Sequence, residues 1–169
     1  AEYGRRVVLF EKQPFPRYHI GESLIPYTWY ALERLGLLDQ MDSAGYVQKF
    51  SVQFAGLSGR CSKPFYFEES LHHQASQTWQ VERDDFDSMI LRRACQLGVE
   101  VREGASAVDL LCENDRVVGV AWRHGEARGE TRARLVIDAS GRDGLARSRF
   151  GWMARDPVLD RLAMWTYVQ

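Results

Sequence analysis

The sequence has no apolar run that approaches the roughly 20 residues a helix needs to cross a bilayer. Its first residues show no apolar stretch of the kind found in a signal peptide. The formal net charge is only −1, which gives no general attraction to nucleic acid or to an anionic membrane. We therefore expect a cytoplasmic protein that binds neither nucleic acid nor membrane.

Cysteine is also scarce. Cys61, Cys95 and Cys112 are widely spaced and form no Cys-x-x-Cys pair, which favours reduced thiols and argues against a zinc site. The adjacent His72 and His73 would point to opposite faces of a strand, and no third ligand accompanies them. We predict no metal site.

What is present is typical of a globular domain, with 45% hydrophobic and 27% charged residues. Apolar runs bounded by turn residues predict strands, and apolar residues at helical spacing predict two helices, at 26–38 and 84–97. The predicted strands are at 6–12, 50–55, 64–68, 78–81, 99–102, 105–112, 117–123, 131–137 and 162–168. Alternating strands and helices indicate an α/β fold with a parallel sheet, and the run at 105–137 indicates an inserted antiparallel meander.

Glu11 closes the first predicted strand. In dinucleotide-binding folds an acidic residue at the end of the second strand binds the ribose hydroxyls. The first strand and the Gly-x-Gly-x-x-Gly turn that normally precede this position are missing from the sequence. Taken alone, Glu11 is better explained as a solvated charge at a strand end, because acidic strand ends are common.

Three further motifs follow along the chain: Gly21-Glu22-Ser23 with Pro26, Arg83 with Phe86-Asp87, and Asp138-Ala139-Ser140-Gly141. In order and spacing they resemble segments shared by flavin-dependent halogenases and related FAD-dependent monooxygenases. The resemblance implies an FAD-binding Rossmann-like parallel sheet with an inserted antiparallel β-meander, incomplete at both ends. It places the FAD-binding domain at 1–155 and the start of a substrate domain at 156–169.

The resemblance also implies which residues contact FAD. Glycine lets the backbone approach the cofactor, serine can donate a hydrogen bond, and the planar fork of arginine suits phosphate oxygens. An alternative for the arginine is a salt bridge to one of its neighbouring carboxylates. The predicted contacts are Glu11, Lys12, Gly21, Glu22, Ser23, Arg83, Val108, Asp138, Ser140 and Gly141.

Lys49 is one of only three lysines beside 19 arginines. The segment around it, Lys49-Phe50-Ser51 with Phe54, resembles the Lys-Tyr-Gly-Ala-x-Phe pattern of halogenases that act on phenols or pyrroles, with Ser51 departing from glycine. The resemblance implies that Lys49 is catalytic and carries the halogen, after reduced FAD and oxygen have oxidised a halide to hypohalous acid. An amine can take up halogen far more readily than a guanidinium.

The leading hypothesis is a halogenase that uses reduced FAD, O2 and halide on an electron-rich aromatic. A separate flavin reductase supplies the cofactor, and the small-molecule substrate is free or tethered to a carrier protein. Two alternatives are an aromatic hydroxylase or geranylgeranyl-reductase-like enzyme of the same fold, and an inactive remnant that binds no flavin. A plain NAD-binding dehydrogenase is disfavoured, since the Gly-Glu-Ser and Asp-Ala-Ser-Gly segments have no place in one.

Overall fold

The computed structural model of the chain describes residues 3–154, 156–159, 164 and 166. These residues belong to two units, one of residues 3–9 and 13–103 and the other of residues 10–12 and those from 104 onward. The predicted strand at 162–168 falls, apart from residues 164 and 166, outside the described part of the chain.

Short strands and three helices make up residues 3–103. Strand β1 and strand β6 form a parallel pair, and β2 with β5 and β3 with β4 form antiparallel pairs. In chain order the elements are β1 (Val7–Glu11), α1 (Thr28–Leu35), α2 (Leu38–Ser43), β2 (Val47–Lys49), β3 (Ser51–Val52), β4 (Phe65–Tyr66), β5 (Thr78–Gln80), α3 (Arg83–Gln96) and β6 (Val99–Glu103). Turns of 3₁₀ helix cover Phe67–Glu69 and Gln74–Ser76.

The single helix predicted at 26–38 is wrong, because α1 ends at Leu35 and α2 begins at Leu38. Gly36 adopts the left-handed conformation, with φ 65°. Its N–H donates to Glu33 O at 2.9 Å, and the N–H of Leu37 donates to Leu32 O at 2.9 Å. These two bonds are the C-terminal cap that glycine favours. Leu37, which follows this turn, is fully buried, so the break between α1 and α2 places Leu37 in the core.

The predicted middle strands are present but shorter and shifted. In place of the strand predicted at 50–55, the structure has β2 and β3, which are separated at Phe50. The strand predicted at 64–68 is reduced to β4, because the chain continues into a 3₁₀ helix at Phe67. The second helix is confirmed as α3, although it begins at Arg83 and is flanked by Glu82. Asp84, a residue type that favours the N-cap position, lies inside the helix and accepts from the N–H of its neighbour Asp85 at 2.8 Å.

The core of this unit is a cluster of aromatic and aliphatic side chains from α1, α2, β5 and α3. Burying a side chain of this size contributes about 1.5–3 kcal/mol. The cluster therefore fixes β5 against three helices. Its members are Trp29, Leu32, Leu37, Met41, Ala75, Trp79, Val81, Phe86 and Met89.

The second unit contains the inserted meander, which the structure confirms. Its strands are β7 (Ala105–Glu113), β8 (Arg116–His124) and β9 (Ala127–Arg132), paired in that order, and helix α4 (Leu145–Phe150) follows. Asn114 and Asp115 connect β7 to β8 with φ of 47° and 61°. Positive φ at both central residues is the geometry that a two-residue hairpin turn requires.

The strand predicted at 131–137 is wrong. A two-residue turn at Gly125 makes Ala127 the partner of His124, so β9 must begin at that residue and ends at Arg132. Hairpin register is set by the turn, and here it overrides the β-propensity of the later residues. Leu135 and Ile137 consequently lie outside the sheet, with 75% and 80% of their surface exposed.

Candidate functional site

The predicted flavin-contacting segment lies along one edge of β5. Leu24 N–H donates to Trp79 O at 3.1 Å, and Val81 N–H donates to Glu22 O at 2.8 Å. Between these bonds, Ser23 forms an antiparallel bridge with β5. The segment is therefore held as an additional short strand, through backbone groups that leave the side chain of Ser23 to other partners.

The strand that carries Lys49 lies along the opposite edge of β5. Lys49 pairs with Thr78, and Ser23 pairs with Gln80. Positions 78 and 80 are two apart, so their cross-strand partners share one face of the sheet. Two strand spacings of about 4.8 Å separate the backbones on either side of β5. The long lysine side chain can cross that distance.

The amine of Lys49 is held by two oxygen atoms on the far side of β5. Its Nζ donates to Ser23 Oγ at 2.5 Å and to Leu24 O at 2.7 Å. The ring of Phe67 lies 5.9 Å from the same nitrogen, within the range of a cation–π contact. Partial burial lowers the pKa of the Lys49 amine below its ordinary value.

Exposed aromatic side chains accompany Lys49 in the sequence and in the strands that follow it. Phe50 and Phe54 are 51% and 72% exposed, and Phe65 and Tyr66 of β4 are also exposed. β4 pairs with β3, which begins two residues after Lys49. The strands that follow Lys49 therefore carry exposed aromatic side chains, of the kind that bind ring systems, and Phe67 is the ring that lies near the amine.

Arg83 holds the turn at Gly21. Its Nη1 donates to Ile20 O at 2.7 Å and lies 3.4 Å from Gly21 O. Its Nε and Nη2 bond the two carboxylate oxygens of Asp87 at 2.7 and 2.9 Å. Gly21 has φ +113°, and a β carbon there would lie 2.9 Å from Nη1. Glycine is therefore required by the backbone conformation, and a β carbon there would push the end of the Arg83 side chain aside.

The observed partners of Arg83 are those of the salt-bridge alternative. Asp87 binds it in the bidentate manner, and Arg17 Nη1 lies 3.3 Å from Asp87 as well. This hydrogen bonding raises the pKa of the Arg83 guanidinium, which remains a permanent cation. Contact between Arg83 and phosphate oxygens stays a prediction, and the role visible in the structure is to fix the Gly21 turn.

In the second unit, Asp138 and Ser140 build a loop that leads into α4. Asp138 Oδ1 accepts from Ser140 Oγ at 2.5 Å and from Ser140 N–H at 2.9 Å, and Oδ2 accepts from Ala146 N–H at 2.7 Å. Ser140 Oγ in turn accepts from Leu145 N–H at 2.8 Å. These bonds lower the pKa of Asp138. Both side chains are used to shape the loop.

Lys12 forms a salt bridge with Asp143, which lies 131 residues later in the chain, in the loop between Asp138 and α4. The strand end at Glu11 is thus brought to the segment that contains Gly141. Gly141 has φ +63°, and a β carbon there would meet nothing within 4 Å. Val108 is 50% exposed on β7, at an irregularity in the pairing with β8. Contact of these residues with FAD stays a prediction.

Asp87 is one of the neighbouring carboxylates of the salt-bridge alternative, and its spacing of four residues from Arg83 places both on the same side of α3. Phe67 was not predicted and has no signal in the sequence, since its approach to Lys49 depends on the strand pairing of β3 with β4.

The two histidines occupy a turn next to α1. His73 Nδ1 accepts from Ala75 N–H at 3.0 Å, and its ring packs edge-on against Trp29 and stacks on Tyr30. Within the described residues there is no group of three or more potential metal ligands. In the same part of the chain, no helix is both long enough and apolar enough to span a membrane.

Comparison with known proteins identifies relatives over nearly the whole chain. The family model of tryptophan halogenase matches residues 57–151, which is more than half of the chain. A 1H-pyrrole-2-carbonyl-[peptidyl-carrier protein] brominase of Pseudoalteromonas luteoviolacea is 36% identical over 83% of this chain and 32% of its own length. The flavin-dependent halogenase armH3 of Armillaria mellea is 31% identical over 99% of this chain and 34% of its own. The chain therefore spans about a third of these relatives.

A solved structure confirms the predicted fold class. The flavin-dependent halogenase CmlS superposes with a TM-score of 0.80 at 32% identity, over 89% of this chain and 27% of that one. The α/β FAD-binding fold is accordingly the fold of this chain. With the family model matched over more than half of its residues, the chain belongs to the tryptophan halogenase family.

Proposed function

We propose that the protein is a flavin-dependent halogenase that transfers halogen to an electron-rich aromatic ring of the phenol or pyrrole type. The observation that carries the proposal is the contact between Lys49 and Ser23, at 2.5 Å across β5. The predicted halogen carrier and the predicted flavin-contacting segment are 26 residues apart in sequence, yet they meet. Family membership supports the same activity.

The described residues fit a dinucleotide cofactor. Glu11 ends β1 with a carboxylate suited to ribose hydroxyls, and Gly141 leaves open space above its Cα. In the first unit the backbone of Gly21 and Ser23 would contact the flavin. Bound reduced FAD would supply two electrons to O2, and the halide ion would supply two more and be oxidised to hypohalous acid.

The contribution of the chain itself is the Lys49 amine. Ser23 Oγ and Leu24 O hold its nitrogen, so the lone pair of its neutral form has a restricted direction. The lowered pKa increases the share of that neutral form at a given pH. The lone pair of this nitrogen can attack the halogen of hypohalous acid; the oxygen–halogen bond breaks, and the hydroxide that leaves takes up one N–H proton to form water. The exposed rings of Phe50 and Phe54 would pack against the aromatic substrate.

Two partners belong to the proposal. One is a separate flavin reductase that delivers reduced FAD. The other is a carrier protein, because two relatives, the Pseudoalteromonas brominase and a Pseudomonas fluorescens chlorinase, are named for a 1H-pyrrole-2-carbonyl group on a peptidyl carrier protein. A pyrrolyl group on such a carrier is therefore tested beside free phenols, pyrroles and indoles.

The test combines the purified protein with a flavin reductase, NADH, FAD, bromide or chloride, and each substrate in turn. Mass spectrometry should show a product with the bromine isotope doublet when bromide is used. Lys49→Ala should abolish that product while flavin binding, followed by absorbance, is retained. Lys63→Ala is the matched control and should keep full activity, since Lys63 is an exposed lysine in a loop.

Two outcomes would overturn the proposal. One is bound flavin without any halogenated product from the whole substrate set. The other is undiminished halogenation by Lys49→Ala, which would remove the role of the amine. Rapid NADH oxidation by the protein without the reductase, stimulated by an aromatic, would instead support a hydroxylase.

A further inference from the structure

We propose that Ser23 is a positioning residue for the Lys49 amine: its hydroxyl oxygen holds the nitrogen at a fixed place near the ring of Phe67. The inference rests on the proposed function for its catalytic meaning. Its geometric content, that Ser23 determines where the amine lies, is independent of that function. The sequence had assigned Ser23 only a contact to the cofactor.

Two acceptors restrain the amine from one side. Ser23 Oγ lies 2.5 Å and Leu24 O lies 2.7 Å from Nζ. The carbonyl of Leu24 is fixed by the backbone, because its own N–H is bonded to Trp79 O on β5. Two bonds to adjacent residues fix both the position and the direction of an otherwise flexible four-carbon side chain.

Both acceptors are uncharged. The elements around Lys49 carry the carboxylates Glu22, Glu68 and Glu69, and among the described residues none of them pairs with the amine. Glu22 accepts from the N–H of Gly21 at 3.2 Å. A carboxylate partner would stabilise the ammonium form strongly, whereas a hydroxyl and a carbonyl restrain the nitrogen with a weaker preference for charge. The arrangement thus orients the amine without fixing it as a cation.

The positioning role leaves the predicted cofactor contact open. A serine hydroxyl has lone pairs that accept and one O–H that donates. Ser23 accepts from Lys49, and its proton is available to a second acceptor. The same hydroxyl could therefore link the amine to a group bound against the Gly21–Ser23 segment.

The experiment measures the reactivity of each lysine separately. Brief acylation with acetic anhydride over a range of pH, followed by peptide mass spectrometry, gives a labelling midpoint for Lys12, Lys49 and Lys63. In Ser23→Ala the released Lys49 amine should become solvated, so its midpoint should rise towards that of Lys63. Ser23→Thr keeps the hydroxyl and should restore the original profile. Ser51→Ala, which removes a hydroxyl on β3, is the matched control and should change nothing.

Halogenation is measured on the same variants. Ser23→Ala should lower kcat on the order of tenfold to a hundredfold, the effect expected for a misplaced reacting group, with KM for the aromatic unchanged. Ser23→Thr should recover most of the rate. If Ser23→Ala does not fold, Ser23→Cys replaces it, because sulfur is only a weak acceptor.

An unchanged Lys49 midpoint in a folded Ser23→Ala protein would overturn the positioning role. A shifted midpoint in a protein that halogenates nothing would uphold the positioning role and reject the proposed function. A shifted midpoint with an unchanged kcat would show that the restraint has no part in the reaction, and would overturn the inference as a statement about catalysis.

Discussion

Replacing Gly21 by alanine tests whether the turn before Ser23 is maintained by Arg83. The backbone at φ +113° would be strained by any β carbon, at a cost of about 1–3 kcal/mol. That carbon would also lie 2.9 Å from Arg83 Nη1 and would displace it from Ile20 O, a charge-assisted bond of 2.7 Å. Losing such a bond costs roughly 1.5 kcal/mol at a partly exposed site. We expect Gly21→Ala to reduce the free energy of unfolding by about 3 kcal/mol.

Urea unfolding followed by tryptophan fluorescence measures this loss, since Trp29 and Trp79 are buried in the core of the same unit. With an m value of about 2 kcal/mol per molar, the midpoint should fall by roughly 1.5 M. Gly59→Ala is the control, because Gly59 has φ +76° and a β carbon there would meet nothing within 4 Å. It should cost about 1 kcal/mol, the strain alone.

A double-mutant cycle separates the two contributions. In an Arg83→Ala background the displaced bond is already absent, so Gly21→Ala should cost about 1.5 kcal/mol less than in the native protein. Equal costs in the two backgrounds would refute the reasoning, because the guanidinium would then have no part in maintaining the turn. Equal midpoints for Gly21→Ala and Gly59→Ala would refute it as well.

Two predictions concern the second unit. Asp138→Asn retains an acceptor for Ser140 but presents an NH2 group to Ala146 N–H, so hydrogen exchange at the Ala146 amide should accelerate. Because the folded pKa of Asp138 is lower than its unfolded value of 3.8, the stabilisation from its carboxylate is complete above 3.8. Native protection of the Ala146 amide should weaken as the pH falls below 3.8 and be lost as it falls through the folded pKa; protection that does not weaken once the carboxylate is protonated would contradict this. Gly129→Ala should destabilise the meander by roughly 1–3 kcal/mol, because a β carbon would lie 2.5 Å from Trp122 Cζ2; a melting temperature equal to that of the native protein would exclude this packing.

Local signals in the sequence predicted the elements that depend on local chemistry. Asn114 and Asp115 favour a tight turn by their tolerance of positive φ, and the meander forms around them. Helix α3 was predicted within one residue at each end, because its apolar stripe and Gly98 are local features. The Asp87 partner of Arg83 was equally accessible from its spacing.

Features that depend on the pairing of strands distant in sequence could not be predicted from the sequence. The apolar residues Leu135 and Ile137 favour a strand, yet the turn at Gly125 determines which residues pair, and it leaves them outside the sheet. The meeting of Lys49 with Ser23 likewise depends on two registers along β5, neither of which has a signal in the sequence. Motif resemblance identified both residues, but only the structure shows that they bond each other.

Lys49 and Ser23 are both paired with the buried strand β5, whereas the aromatic rings on the strands after Lys49 are exposed. Thr78 is fully buried and Trp79 is 3% exposed, so β5 is anchored in the hydrophobic interior. This strand pairs with Lys49 along one edge and with Ser23 along the other, and it thereby aligns the two residues. The rings of Phe50 and Phe65, by contrast, are 51% and 46% exposed, and Phe65 packs edge-on against Phe67. Under the proposed function, substitutions at those rings would change which aromatic compound is bound without moving the Lys49 nitrogen. Such a scaffold would let substrate preference change by surface mutation while the position of the amine stays the same.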